Sequence, residues 1–460
     1  MCSRVVLVVL CYIKWCSSAN ILCVFPTPAI SPHTVFNVYV NKLVQANHNV
    51  TVLTPYTMNN TRITEIILVS NQFRSLMGGV GGVVVDEHMV IGFNYMRLVQ
   101  ALVTQFDELE VQRFLHNRGN KFDLVVVEAY LSYLLIFGHL YNAPVVQFSS
   151  GYAIPENFET MGAVARHPFK HPNIWRNFFN KEYHDQINSE IMLKAEWQRF
   201  DFEQEKILKR KFHITNIDTL KRRIKLLFVN VPTIYDNYRA VPESVQYLGK
   251  LHLSQSEEPL RDYELQKFLD GGPTVYVSFG SLIRFDYMPF VEKLRTQLCS
   301  LPYRVLLKID PFILNGTTTK LCTLPYWMID SFISTTTSRK ILVRNWFPQR
   351  ALLKHPNIVA FVTQAGVLST DEAIDAEVPL VGVPMIGDQF FTANRYVKLG
   401  IGISVDISTE KYLASKIRAV VESPHYKRNI KKIKTIINDV PMKSAHKAVW
   451  YTNYVIRNYK

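Results

Sequence analysis

The chain has 460 residues, 48% of them hydrophobic and 20% charged, with a formal net charge of +14. It is too apolar for a disordered chain and long enough for two domains. Its Lys and Arg are scattered, and the densest group, Lys221, Arg222, Arg223 and Lys225, runs straight into an apolar stretch. This disfavours nucleic-acid binding and fits a solvated basic surface that suits an anionic ligand.

In chain order, residues 1–19 predict a secretory signal: Arg4, an apolar run Val5–Ile13, and small Ser17, Ser18 and Ala19 before the cut. The run is too short to span a bilayer well. Cleavage would leave Cys23, Cys299 and Cys322, enough for at most one disulfide. Sequons at Asn49, Asn59 and Asn315 fit an exported glycoprotein.

Asn20–Phe25 predicts a first strand, Pro26–Pro32 a proline-rich loop, Thr34–Ala46 a helix and Val50–Leu53 a second strand, one βαβ unit. The glycine-rich run 78–82 lacks the Lys-Ser/Thr of a phosphate loop and reads as a turn. Residues 88–118 are mostly helical by pattern, and Asp123–Val127 and Pro144–Phe148 are buried strands around a helix Leu131–Leu140. In 152–212, His167, His171 and His184 match no zinc spacing. With Phe169, Trp175, Phe178 and Phe179 they read as an aromatic lid, followed by a solvated helix at 185–211. Leu226–Asn230 is expected to end the first domain, with a linker around Val241–Arg261.

A second α/β unit follows, with strands Thr274–Gly280, Arg304–Ile309, Ile341–Val343, Val359–Thr363 and Pro379–Val383. The small junction Thr363-Gln364-Ala365-Gly366 ends a strand just before a helix Val367–Glu377. Such a junction aims backbone N–H groups and a helix N-terminus at one spot and suits a phosphate. Asp371 and Glu372 are placed in its first turn by the dipole argument. Further helices are expected at Thr392–Leu399, Lys411–Val421 and Ser444–Asn458, and no long apolar run follows the last.

Residues 341–389 resemble the signature of the UDP-glycosyltransferase family. The matching residues are Trp346-Phe347-Pro348-Gln349, Phe361-Val362-Thr363-Gln364, Gly366, Ser369, Glu372, Pro379, Pro384 and Asp388-Gln389. The resemblance extends along nearly the whole chain, toward the secreted ecdysteroid-modifying branch found in insect baculoviruses. It implies two facing Rossmann-like domains, an α/β GT-B fold. The boundaries are then 20–240 for the acceptor domain, 241–264 for a linker, 265–443 for the donor domain, and 444–460 for a helix returning to the first domain.

The resemblance also implies inverting transfer of glucose from UDP-glucose, a co-substrate, to an ecdysteroid or similar lipophilic alcohol, without a cofactor or metal. It makes His33 the base and Glu128, where the family usually has Asp, the acid that orients it. Ser281, Gln364, Gly366 and Ser369 would cradle the diphosphate, and Trp346 would stack on uracil. Gln349 and Glu372 would hold uracil or ribose, and Asp388 and Gln389 the sugar hydroxyls. Cellular members mostly carry His at the place of Gln364. The absent anchor implies a secreted enzyme. A transferase for other lipophilic alcohols or phenols, or a non-catalytic binder of steroid or nucleotide, stays open; UDP release with and without acceptor separates the last.

Overall fold

The structure, a computed structural model, describes residues 18–68, 90, 95–179, 182–256, 259–280, 288–309, 340–408 and 412–459. The expected signal segment, the glycine-rich run, Ser281, Asn315 and Cys322 lie outside the described residues.

Two parallel sheets carry the chain. The first contains β1 (Asn20–Val24), β2 (Asn49–Thr54), β3 (Ile63–Ile67), β4 (Leu124–Glu128), β5 (Val145–Ser149), β6 (Ile224–Val229) and β7 (Val245–Tyr247), in the order β3-β2-β1-β4-β5-β6-β7. The second contains β8 (Thr274–Ser278), β9 (Arg304–Lys308), β10 (Ile341–Arg344), β11 (Ile358–Thr363), β12 (Leu380–Gly382) and β13 (Gly402–Ser404), in the order β10-β9-β8-β11-β12-β13. The strands are short apolar runs because both faces of a parallel sheet are covered. In β1 and β4, Leu22, Val24, Val125 and Val127 join one apolar cluster, while Ile21, Cys23, Leu124 and Val126 join another. This is the two-residue period of a strand buried on both sides.

Strand order reverses between β1 and β4 and again between β8 and β11. At such reversals the following loops diverge and leave a crevice outside the carboxyl ends. The two crevices face each other.

Three differences from the sequence reading have physical causes. The first helix is Ile30–Gln45, not Thr34–Ala46. Pro32 lies in its first turn, where backbone N–H groups have no intrahelical partner, so its missing donor is tolerated. The stretch read as a linker contains β7, which pairs with β6; a three-residue edge strand is too short to show a period. Asp371 and Glu372 are beyond the first turn of the helix Val367–Asp375, which has no acid there. Asp371 is instead fully buried and accepts a hydrogen bond from the Tyr235 hydroxyl of the first domain at 3.0 Å. Burial pushes this carboxyl up to about 8.

The helix Ser444–Asn458 packs Ala445, Ala448, Val455 and Ile456 into the apolar cluster that holds Val35, Tyr39 and Val40. The hydroxyls of Tyr39 and Thr452 are 2.7 Å apart, and Ser444 Oγ donates to the Leu248 carbonyl at 2.7 Å. The end of the chain is thereby fixed to the first domain. Phe178 and Tyr152 meet Phe391, and Phe179 meets Phe390, which adds aromatic contacts between the two halves. Cys23 is buried and free, and Cys299 is disulfide-bonded. No helix among the described residues is long and apolar enough to cross a membrane.

Candidate active site

A cavity of about 650 Å³ lies between the two crevices. From the second domain, Trp346, Gln349, Gln364, Gly366, Ser369, Glu372, Asp388 and Gln389 all line it. From the first domain come Thr27, Pro32, Phe36, Tyr95, Glu128, Phe148 and Trp175 among others. One half is therefore rich in polar groups and the other in aromatic and aliphatic surface, a division suited to a polar and a lipophilic ligand meeting at the middle.

The polar half is built on β8, β9, β11 and the turns after them. Gln349 starts the short helix Gln349–Leu353. Its Oε1 accepts from the Tyr276 hydroxyl at 3.1 Å, and its Nε2 donates to Ser369 Oγ at 2.9 Å and Glu372 Oε2 at 2.7 Å. Ser369 and Glu372 are three residues apart on one helical face, so both reach Gln349. This chain of bonds orients the Glu372 carboxylate, an acceptor of the kind that two adjacent hydroxyls require.

Gly366 is the N-cap of the helix Val367–Asp375, and no side chain caps it. The first backbone N–H groups of that helix thus open toward the cavity, lined by Gly366, Val367, Leu368 and Ser369. They provide partial positive charge for an anion. Ala365, just before them, has φ of +67°. A side chain in that region strains the backbone by roughly 1–2 kcal/mol. Gln364 packs over Gly280, where a Cβ would lie 2.3 Å from Gln364 Nε2. Gln364 Oε1 is buried without a hydrogen-bond partner, so its amide has unspent capacity at the cavity wall.

Asp388 ends the loop before the helix Gln389–Leu399 and lines the cavity. Burial pushes its carboxyl up to about 6. Gln389 Oε1 accepts from the backbone N–H groups of Met385 and Ile386 at 2.9 and 3.0 Å. Its oxygen is thereby tied to the loop, and its NH₂ is the group it can offer to a ligand.

Sequence reasoning missed Lys308. It is the last residue of β9 and lines the cavity. Its Nζ donates to the Gly280 carbonyl at 3.1 Å and lies 4.4 Å from the Trp346 ring centre. Burial lowers its pKa. The available signal was a lone cation ending an apolar strand at the carboxyl edge of a parallel sheet.

The first domain departs from expectation. His33 is on the first helical turn and buried, between Pro32 and Thr34, which both line the cavity. Its Nε2 donates to the Thr27 carbonyl at 2.8 Å, and its Nδ1 is 3.4 Å from Thr54 Oγ1. The expected contact between His33 and Glu128 is absent. Glu128 accepts instead from the Thr27 N–H at 3.2 Å and from Thr27 Oγ1 at 2.5 Å. The helix begins at Ile30, so His33 sits in its first turn, where its ring reaches back to the Thr27 carbonyl of the preceding loop. Burial holds His33 down at about 4 and pushes Glu128 up to about 7.

The segment expected as an aromatic lid contributes Ile174 and Trp175 to the cavity wall. His167 and His171 pair through their backbones in a tight antiparallel bridge.

Residues 90–459 match the family described as UDP-glucoronosyl and UDP-glucosyl transferase. An ecdysteroid UDP-glucosyltransferase of Lacanobia oleracea granulosis virus is 44% identical over 455 residues, covering 96% of this chain and 95% of that protein. One from Mamestra brassicae nuclear polyhedrosis virus is 39% identical, covering 96% and 85%. Among solved structures, a Medicago truncatula protein complexed with UDP-glucose superposes with a TM-score of 0.61 at 15% identity, covering 95% of this chain and 98% of that one. That likeness shows the fold alone: two facing Rossmann-like domains of the GT-B kind.

Proposed function

The chain belongs to the UDP-glucuronosyl and UDP-glucosyl transferase family, and from that premise we propose that it transfers glucose from UDP-glucose to a hydroxyl of an ecdysteroid. The enzyme is a UDP-glycosyltransferase with a UDP-sugar as co-substrate. The observation that carries the acceptor reading is the division of the cavity: hydrogen-bonding groups on the second domain face apolar surface on the first. A rigid, largely apolar polyol such as an ecdysteroid fits that surface, and the relatives named above are ecdysteroid UDP-glucosyltransferases.

In this reading the uracil stacks on Trp346, a residue 60% exposed beside Lys308. Glu372, oriented by Gln349, accepts from the ribose hydroxyls. The diphosphate lies at the helix N-terminus beginning at Gly366, next to Gln364 and Lys308, with Ser281 assigned there from the sequence alone. Asp388 and the Gln389 amide hold the glucose hydroxyls and fix its anomeric carbon toward the first domain. An alcohol then attacks from the face opposite UDP, with inversion. Phe36, Phe148 and Trp175, which line the first-domain half, hold the acceptor in orientation.

The test is incubation with UDP-glucose and 20-hydroxyecdysone, with products read by mass. Gain of one hexose on the steroid, matched by UDP release, supports the reading; hexose transfer only to simple phenols overturns the acceptor assignment. UDP binding with no transfer to any acceptor would make it a binder. Trp346→Ala is expected to weaken UDP binding by about 1–3 kcal/mol, the scale of base–aromatic stacking. Calorimetric titration with UDP checks it, and an unchanged Kd removes Trp346 from the site.

We further propose export by the secretory pathway. The amino-terminal apolar segment and the exposed sequon residues Asn49 and Asn59 support it. Recovery from the medium, with a mass drop on N-glycan removal, is expected; retention in cells with Met1 intact overturns it.

A further inference from the structure

The acceptor proposed above is largely apolar but carries several oxygens, and the first-domain half of the cavity has few groups left to meet them. Most of the hydroxyls there are already paired within the protein. Thr27 Oγ1 donates to Glu128 Oε2 at 2.5 Å, and Thr34 Oγ1 donates to the Ile30 carbonyl at 3.2 Å. Tyr130 and Ser149 both donate to the Tyr152 carbonyl. The Tyr152 hydroxyl lies by Thr392 and Arg395 of the second domain.

Tyr95 is differently placed. It directly precedes the helix Met96–Val103, and Leu98, one turn on, lines the cavity with it. Val99 and Leu102 of that helix are buried in the core and fix where it sits. The Tyr95 ring is held by Trp175, Tyr130 and Phe200, with centroids 5.1, 6.0 and 6.1 Å away. Its hydroxyl makes no hydrogen bond to any described residue. Burial keeps this phenol protonated, and its titration also senses Tyr130, Asp388 and Glu128. The hydroxyl is therefore within electrostatic reach of Asp388, which the reading above places on glucose, and of Glu128 at the end of β4.

Water in the open cavity can satisfy such a hydroxyl. A lipophilic acceptor displaces that water and encloses the hydroxyl beside Trp175. A phenol left unpaired there would weaken the complex, because burying a polar group without a partner is unfavourable. Apolar walls with one uncommitted hydroxyl thus select a ligand that presents an oxygen at that point. The partner is not the attacking oxygen, since a hydrogen bond donated to it would occupy the lone pair that forms the new bond.

We propose that the Tyr95 hydroxyl pairs with an oxygen of the bound acceptor other than the one that receives glucose, and so selects polyhydroxylated steroids over acceptors with a single hydroxyl. This rests on the transferase reading above. The contact is one of recognition: no covalent bond is made or broken at Tyr95, and a phenol both donates and accepts, so a hydroxyl or a ketone of the steroid satisfies it.

The experiment compares Tyr95→Phe with wild type in the full chain, with UDP-glucose as donor. The substitution removes the oxygen and keeps the ring. The KM for 20-hydroxyecdysone should rise about 5–150-fold, the range for leaving one buried polar group unpaired, while kcat stays within about threefold. The Kd of UDP and the rate of UDP-glucose hydrolysis without acceptor should stay within about twofold, as expected when only acceptor binding is lost. 2-Naphthol is the comparison, because its one oxygen is the one that would receive glucose. Its KM, or its Ki as a competitor where it is not turned over, should not change. The melting temperature should not fall, because no protein group loses a partner.

An unchanged KM for 20-hydroxyecdysone overturns the proposal. An equal rise for 2-naphthol does so too, since it would mean that the pocket has changed shape. A parallel fall in UDP-glucose hydrolysis would put the hydroxyl on the sugar, and a lower melting temperature would give it a structural partner; either result overturns the assignment. If wild type itself transfers nothing to 20-hydroxyecdysone, the acceptor reading fails, and this inference fails with it. If wild type transfers and Tyr95→Phe matches it, this inference alone fails.

Discussion

Lys308→Ala is expected to lower kcat with UDP-glucose by about 10²–10³-fold, the scale seen when one donor to a developing anion is removed. The residue ends β9 next to β8, so the sheet itself delivers its ammonium to the cavity. Its anchor on the Gly280 carbonyl at 3.1 Å and its position over Trp346 hold it still. Negative charge grows on the β-phosphate as the bond to glucose breaks. A cation already in place stabilises that charge without reorganisation. Gln364 cannot become cationic where cellular relatives have His, which places more of the burden on Lys308 and on the helix N-terminus at Gly366. Burial lowers the Lys308 pKa in the free protein, and an adjacent diphosphate would raise it again. Lys308→Arg should recover part of the rate. Steady-state kinetics at saturating donor is the measurement, and a kcat within twofold of wild type for Lys308→Ala would remove the residue from leaving-group stabilisation.

Asp388→Ala is expected to reduce kcat/KM for UDP-glucose by about 10–150-fold while leaving the Kd of UDP alone unchanged. The split follows from what the side chain can touch. UDP lacks the sugar, so it loses nothing. UDP-glucose loses hydrogen bonds to a charged acceptor worth roughly 1.5–3 kcal/mol. The Asp388 carbonyl, not its carboxylate, accepts from the Thr392 N–H at 2.9 Å, so truncation should leave the helix Gln389–Leu399 intact. Because burial raises the carboxyl to about 6, the wild-type preference for UDP-glucose over UDP should weaken as pH falls below that value. Equal losses for UDP and UDP-glucose would place Asp388 on the nucleotide instead.

Much of the donor half was legible because its residues are local in sequence. Trp346 to Gln389 spans a run of strands and helices whose strand-to-helix turns fall at the carboxyl edge of one sheet. Once β11 and the helix after Gly366 are recognised, Gln364, Gly366, Ser369 and Glu372 must lie at one place. Lys308 escaped because it belongs to a different strand, and only the pairing of β9 with β8 brings it over Gly280.

The first domain shows the limit more sharply. The apolar runs and their two-residue period determined the strands, and the family signature determined the chemistry. Which face His33 presents depended on where one helix begins. A start at Ile30 instead of Thr34 sets the rotation of the whole first turn, and at 100° per residue neighbouring positions point in different directions. Thr27 and Glu128 are 101 residues apart, and their bond exists only because β1 and β4 are neighbours in the sheet. The sequence by itself determined the two α/β halves, the donor signature and the kind of reaction. Tertiary structure decided that Glu128 and Lys308 line one cavity and that His33 bonds to the Thr27 carbonyl, because strand order and helix start are set by packing across the sheet and not by neighbouring residues.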